Sequence, residues 1–191
     1  AISACEKGGQ WQRALQLMKD MQCNGVPANT ITYSAAISAC EKGGQWQRAL
    51  QLMEDMQGKG VPANTITYSA AISACEKGGQ WQRALQLMEE MQGKGVAADT
   101  ITYNAAISAC EKGGQWQRAL QLMEEMQGKG VPANTITYNA AISACEKGRQ
   151  WQRALQLMEE MQDKGVPANT ITYSAAISAC EKGGQWQRAL Q

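Results

Sequence analysis

Between Trp81 and Met91 the apolar side chains fall at Trp81, Ala84, Leu85, Leu87, Met88 and Met91. Spacings of three and four put them on one side of an α-helix. The preceding stretch, Ile66 to Glu76, contains no proline or glycine and is rich in alanine, which predicts another helix. Asn64 and Thr65 stand at its start as capping residue types. Gly78–Gly79 breaks it, and Gly93 and Gly95 end the helix that follows. Val96-Ala97-Ala98-Asp99 then leads to the next cap, so Thr65 to Asp99 reads as a helix–turn–helix hairpin.

The hairpin recurs almost letter for letter. Trp11, Trp46, Trp81, Trp116, Trp151 and Trp186 lie 35 residues apart, and so do Tyr33, Tyr68, Tyr103, Tyr138 and Tyr173. Aligned on the tyrosine, complete units run 30–64, 65–99, 100–134 and 135–169, with partial units at 1–29 and 170–191. Where one unit has Ala97, the other three complete units have Pro62, Pro132 and Pro167, a further stop signal. A single hairpin this short cannot bury both of its apolar stripes, and stacking on identical neighbours solves the problem. The predicted architecture is therefore all-α, one α-solenoid of stacked hairpins over 1–191.

A solenoid works through a face built from equivalent positions. At 100° per residue, Ser69, Ser73 and Lys77 return to within roughly 60° of Ile66, while Tyr68, Ala71 and Cys75 fall opposite. The expected outward stripe is thus Ile, Ser or Asn, Ser and Lys, with Tyr, Ala and Cys in the core. The lysines Lys42, Lys77, Lys112, Lys147 and Lys182 form a ladder on that stripe. The acidic residues Glu54, Asp55, Glu89, Glu90, Glu124, Glu125, Glu159 and Glu160 belong instead to the second helices and read as solvated surface.

That segregation matters because the net charge is only +1, from 18 basic and 17 acidic residues. A nucleic-acid binder usually carries a basic excess, yet one face can be basic on a neutral molecule. On residues alone, the lysine ladder fits phosphate contact and simple solvation near helix C-termini equally well.

Composition narrows the chemistry. Cys5, Cys40, Cys75, Cys110, Cys145 and Cys180 keep the repeat spacing, Cys23 does not, and no CxxC pair occurs. Equivalent points on stacked helices are ~8–10 Å apart, too far for disulfides, so the six read as small core thiols in a reducing compartment. The sequence has no histidine, hence no ordinary imidazole base for a Ser or Cys nucleophile, and a zinc site would need distant thiolates alone. No enzyme activity, cofactor, metal or small-molecule substrate is expected. No apolar run approaches the ~20 residues of a membrane helix. The chain begins at Ala1 within a unit, so it is expected to be part of something longer, whose targeting segment would lie elsewhere.

The units resemble the pentatricopeptide repeat. The likeness rests on Thr67-Tyr68-Ser69, Cys-Glu-Lys-Gly as at 75–78, the Arg-Ala-Leu-Gln-Leu-Met-Glu-Glu-Met run at 83–91, and Gly95-Val96, and it covers the whole chain. Tryptophan opening every second helix departs from the family's usual aliphatic residue. The resemblance implies a right-handed α-solenoid that holds single-stranded RNA, one base per repeat, in organelle RNA processing or stabilisation in a mitochondrion or plastid. It also implies site residues. The second residue of each unit stacks on the base (Ile31, Ile66, Ile101, Ile136, Ile171), and the late lysine of the first helix (Lys42, Lys77, Lys112, Lys147, Lys182) meets phosphate. The fifth and last residues select the base. Ser34 with Asn64 resembles the adenine pair, Ser69 with Asp99 the guanine pair, and Asn104 with Asn134 and Asn139 with Asn169 the pyrimidine pair. The implied core is 5′-A-G-Y-Y-3′, with Ser174 hinting at a following purine. The alternative is a protein-interaction scaffold within a larger assembly, which helical solenoids also serve.

Overall fold

The computed structural model describes residues 2–185; Trp186 and Gln191, placed by the sequence pattern in a second helix, lie outside them. Among the described residues there are eleven helices and no strand. They fall into two compact units, Ala1–Ala98 and Asp99–Gln191. The first contains α1 (Ile2–Lys7), α2 (Trp11–Cys23), α3 (Thr30–Lys42), α4 (Trp46–Gly58), α5 (Thr65–Lys77) and α6 (Trp81–Gly93). The second contains α7 (Thr100–Lys112), α8 (Trp116–Gly128), α9 (Thr135–Lys147), α10 (Trp151–Asp163) and α11 (Thr170–Lys182).

Local chemistry sets the helix ends. The Asn64 side chain accepts the Thr67 backbone N–H, and the Thr67 hydroxyl in turn accepts the Asn64 N–H, a reciprocal capping box. Asp99, Asn134 and Asn169 do the same for α7, α9 and α11. At the far end of α5, Gly79 takes a φ of +68° and Gln80 N–H reaches back to the Cys75 carbonyl at 2.8 Å, closing the last turn. The second helices run longer than the glycines suggested. Gly93 sits inside the last turn of α6, and the stop comes at Gly95, φ +71°, where Val96 N–H bonds to the Met91 carbonyl at 3.0 Å.

Within each unit the first helices of successive hairpins stack directly: α1 on α3 on α5, and α7 on α9 on α11. Each second helix packs on its own first helix, and α2, α4, α8 and α10 also touch the next one. Alanines permit the close stacking, since Ala36, Ala39, Ala71, Ala74, Ala106 and Ala141 are essentially sealed from water. Tyr33, Tyr68, Tyr103 and Tyr138 are fully buried, with Ile72, Leu87, Met88 and Met91 around the same layer. Each such side chain contributes roughly 1.5–3 kcal/mol on burial. All six periodic cysteines are buried thiols outside any disulfide, and Cys23 is exposed. Burial pushes the Cys40, Cys75, Cys110 and Cys145 thiols up to about 11, so they stay protonated and unreactive near neutral pH.

The tryptophans explain the glycine that follows the first helix at four places, Gly43, Gly78, Gly148 and Gly183. Gly78 has an ordinary φ of −82°, but a Cβ there would collide with the Trp46 indole from the preceding hairpin. Gly43 meets Trp11, Gly148 meets Trp116 and Gly183 meets Trp151 in the same way. The indole thus locks neighbouring hairpins, and only glycine leaves room for it.

The acidic second-helix residues are not all solvated surface, as the sequence pattern had suggested. Glu54, Glu89, Glu124 and Glu159 are exposed, but Asp55, Glu90, Glu125 and Glu160 accept the hydroxyl protons of Tyr33, Tyr68, Tyr103 and Tyr138 at 2.5–3.0 Å. The cause is the buried ring, whose hydroxyl must find an acceptor at the edge of the core. Lys59, Lys94, Lys129 and Lys164 complete the cluster one turn on, at 2.6–2.8 Å.

Candidate nucleic-acid interface

The exposed face of the first helices carries an apolar row. Ile31 is 71% exposed, and Ile66, Ile101, Ile136 and Ile171 are about as open, at 59–64%. Five of the eight large hydrophobic side chains exposed among the described residues occupy this one position. Each stands in the first helical turn beside a cap, where helix stacking cannot cover it.

The fifth residues sit differently from expectation. The helical wheel placed Ser69 outward with Ile66, but Ser34, Ser69, Asn104 and Asn139 are all more than nine-tenths buried. A position 60° or so from the outward direction on a stacked helix points into the seam with a neighbouring first helix, which a wheel drawn for one helix does not include. Ser174 is exposed. The wheel succeeded for Tyr68, Ala71 and Cys75, which are completely buried, and for Lys77, which is exposed.

In the seam the fifth and last residues are joined by a residue the sequence reading missed, the threonine at the third place of the next hairpin. The Ser34 and Thr67 hydroxyls lie 2.7 Å apart, and Thr67 Oγ1 donates to Asn64 Oδ1 at 2.9 Å. In the second unit, Thr137 Oγ1 donates to Asn104 Oδ1 at 2.6 Å while Asn104 Nδ2 donates to Asn134 Oδ1 at 3.2 Å. Thr172, Asn139 and Asn169 repeat this arrangement at 2.6 and 3.1 Å. Thr67, Thr137 and Thr172 are fully buried. The signal available in the sequence was the alternation Asn-Thr-Ile-Thr, which puts a polar residue where a capping box needs one. The opening threonine helps too: Thr30 donates to the Pro62 carbonyl at 2.8 Å, and Thr100 to that of Pro132 at 3.1 Å. These bonds draw the loop bearing Asn64 or Asn134 back against its own first helix.

Ser69 and Asp99 fall in different units. Ser69 donates to the Thr65 carbonyl at 2.7 Å. One Asp99 oxygen, Oδ1, accepts from the Thr102 N–H at 2.9 Å and from its hydroxyl at 2.7 Å.

The lysine ladder is interleaved with carboxylates. Lys42 pairs with Glu6 at 3.3 Å, Lys147 with Glu111 at 2.6 Å and Lys182 with Glu146 at 2.7 Å, and Lys77 pairs with Glu41. Each partner comes from the preceding hairpin, one place before that hairpin's own lysine. Lys112 is exposed like the others. Such exposed pairs are worth at most about 1 kcal/mol, and an ammonium in one keeps two further N–H donors. Between α9 and α11 a cleft lined by Ser143, Glu146, Thr170, Ile171, Ser174 and Ser178 runs from the isoleucine row toward the ladder.

The PPR repeat family model matches residues 1–42, 30–77, 71–112, 98–147 and 133–182, nearly the whole length. The chain belongs to the PPR repeat family. Among solved structures, it is similar to the pentatricopeptide repeat protein PPR10 from maize, with 27% identity over 99% of this chain and a TM-score of 0.67. It is equally similar to PPR10 in complex with an 18-nt psaJ RNA element, at 26% identity. This PPR chain spans about a quarter of PPR10's length, 27% of it in the first case. The PPR domain of Arabidopsis thaliana protein-only RNase P 1, in complex with tRNA, shares the fold at 16% identity, with a TM-score of 0.80 over 98% of this chain and 95% of that one. No curated protein matches the sequence.

Proposed function

We propose that this PPR chain binds single-stranded RNA and selects one base per repeat, with repeats at 30–64, 65–99, 100–134 and 135–169 and the core 5′-A-G-Y-Y-3′. The carrying observation is the hydrogen-bonded linkage of fifth and last residues beside an exposed isoleucine row. An exposed Ile face offers a base a flat apolar contact, and the polar pair below it meets the base edge. The RNA bound by PPR10 in its complex supports the reading.

The groups left over after the internal hydrogen bonds suit the adenine and pyrimidine assignments. With its proton on Thr67, Ser34 offers lone pairs, and Asn64, its Oδ1 occupied by Thr67, offers Nδ2 donors. An acceptor beside a donor complements adenine's N6 amino group and N1. The guanine assignment of Ser69 with Asp99 comes from the family resemblance alone; Ser69 gives its proton to the Thr65 carbonyl, and Asp99 is the one carboxylate at the last place of a repeat. In the Asn104/Asn134 and Asn139/Asn169 pairs, every Oδ1 is engaged and the spare groups are Nδ2 donors. Two donors complement the carbonyl-rich edge of a pyrimidine.

Lys42, Lys77, Lys147 and Lys182 would exchange their glutamate partners for phosphates, and Lys112, at the equivalent place, would meet phosphate as well. We assign no catalytic step to the chain, and place it in organelle RNA processing or stabilisation. The test is binding of short RNAs at fixed salt, comparing A-G-Y-Y with its four single-base swaps and a scrambled core. Tighter binding of the cognate core supports the reading; equal binding of all sequences overturns the code. No binding at any salt would leave the scaffold alternative, which the glutamate-paired lysines favour.

A further inference from the structure

We propose that Thr67, Thr137 and Thr172, each at the third place of its hairpin, are specificity-determining positioning residues for the repeat before, the single hydroxyl proton of each fixing which groups the base-selecting pair presents. The proposal rests on the RNA-binding reading above.

A threonine hydroxyl has one proton and two lone pairs. Thr137 Oγ1 accepts the Asn134 N–H at 3.0 Å, and two acceptors compete for its proton: Asn104 Oδ1 at 2.6 Å and Asn134 Oδ1 at 3.2 Å. The shorter bond takes it. Asn104 Oδ1 is thereby held in the seam and Asn104 Nδ2 is turned toward Asn134 Oδ1, leaving one N–H for a ligand. Asn134 Oδ1 already accepts from the Ile136 and Thr137 N–H groups at 3.0 and 3.1 Å, so that side chain too shows only Nδ2. Thr172 imposes the same order on Asn139 and Asn169.

Where the fifth residue is serine the proton runs the other way. Thr67 gives its proton to Asn64 Oδ1 at 2.9 Å and accepts the Asn64 N–H at 3.3 Å. Its remaining lone pair takes the Ser34 proton across 2.7 Å. The same buried threonine therefore turns asparagine into a donor and serine into an acceptor. An amide of asparagine is nearly symmetric in shape, so its orientation is set by its partners, and for Asn104 the shorter of the two bonds is the one from the threonine hydroxyl, at 2.6 against 3.2 Å.

The test is Thr137→Val, a close match in shape that removes only the hydroxyl, with RNAs varied at the third and fourth bases. Loss of about tenfold pyrimidine preference at the third base, retained preference at the fourth base, where Thr172 is intact, and recovery in Thr137→Ser would support the proposal. Equal weakening for all bases would mark a purely structural threonine and overturn it, as would unchanged preference at the third base. If the parent chain itself shows no base preference, the code fails, which is a different result. Side-chain amide spectra of the parent chain need no variant. Before RNA is added, one Asn104 Nδ2 proton should exchange slowly and the other freely; equal exchange of both would overturn the proposal.

Discussion

At the scale of single residues, the repeat is so regular that departures from it are informative. Arg149 stands where other hairpins carry the second glycine of the pair, and its φ of +56° is the only positive value at a non-glycine among the described residues. A side chain in the left-handed region costs about 1–2 kcal/mol. Arg149→Gly should therefore raise stability by about 1 kcal/mol, read from the urea midpoint at constant slope; an unchanged or lower midpoint would show that arginine gains something compensating there. Asp99 is the other telling departure, the one carboxylate among asparagines at the last place of the repeat. Its amide equivalent keeps an oxygen for the Thr102 cap but replaces the second acceptor with a donor. Asp99→Asn is thus expected to move the preference at the second base from G toward A, measured by competition between the two RNAs.

At the scale of elements, what ties each hairpin together is the cluster of tyrosine, carboxylate and lysine across its two helices. The Lys59 and then the Tyr33 hydrogen bond hold Asp55 below the usual carboxylate range. Burial pushes Glu90 and Glu160 up, but their lysine and tyrosine partners outweigh it and leave both low. Burial, and then the neighbouring carboxylate, raise the tyrosines. A carboxyl lowered by folding adds stability that is present above its unfolded value, about 4, and lost as pH falls through the folded one. A raised tyrosine adds stability present below about 10 and lost as pH rises through its folded value. The melting temperature should accordingly plateau near neutrality and fall on both sides. Glu90→Gln should flatten the acid limb, and an unaltered limb would show that the cluster carries no linkage.

At the scale of the whole molecule, a net charge of +1 gives no long-range attraction for RNA. Any electrostatic affinity must come from local contacts on one face, so binding should have a modest salt slope. Five ladder lysines each neutralising one phosphate predict a log–log slope of about −3.5 for single strands. Changing Lys147 to Gln should reduce the slope by about 0.7 and weaken all sequences alike. A slope near zero would remove the phosphate role from the ladder.

The periodicity of Trp, Tyr and Gly was enough to specify the helices, their caps, the tyrosine–cysteine core and the outward Ile and Lys, because these depend on local propensity and on one helix face at a time. The buried seam was not legible in the same way. Whether Ser69 or Asn104 faces water, that Glu90 serves a tyrosine of its own hairpin, and that Gly78 must admit an indole from the hairpin before are relations between elements. So is the path of a threonine proton, which is set by distances of 2.6 against 3.2 Å. Residues 33 places apart in the chain meet only when one first helix lies against the next, and that packing, invisible to any single repeat, decides what each pair offers to a ligand.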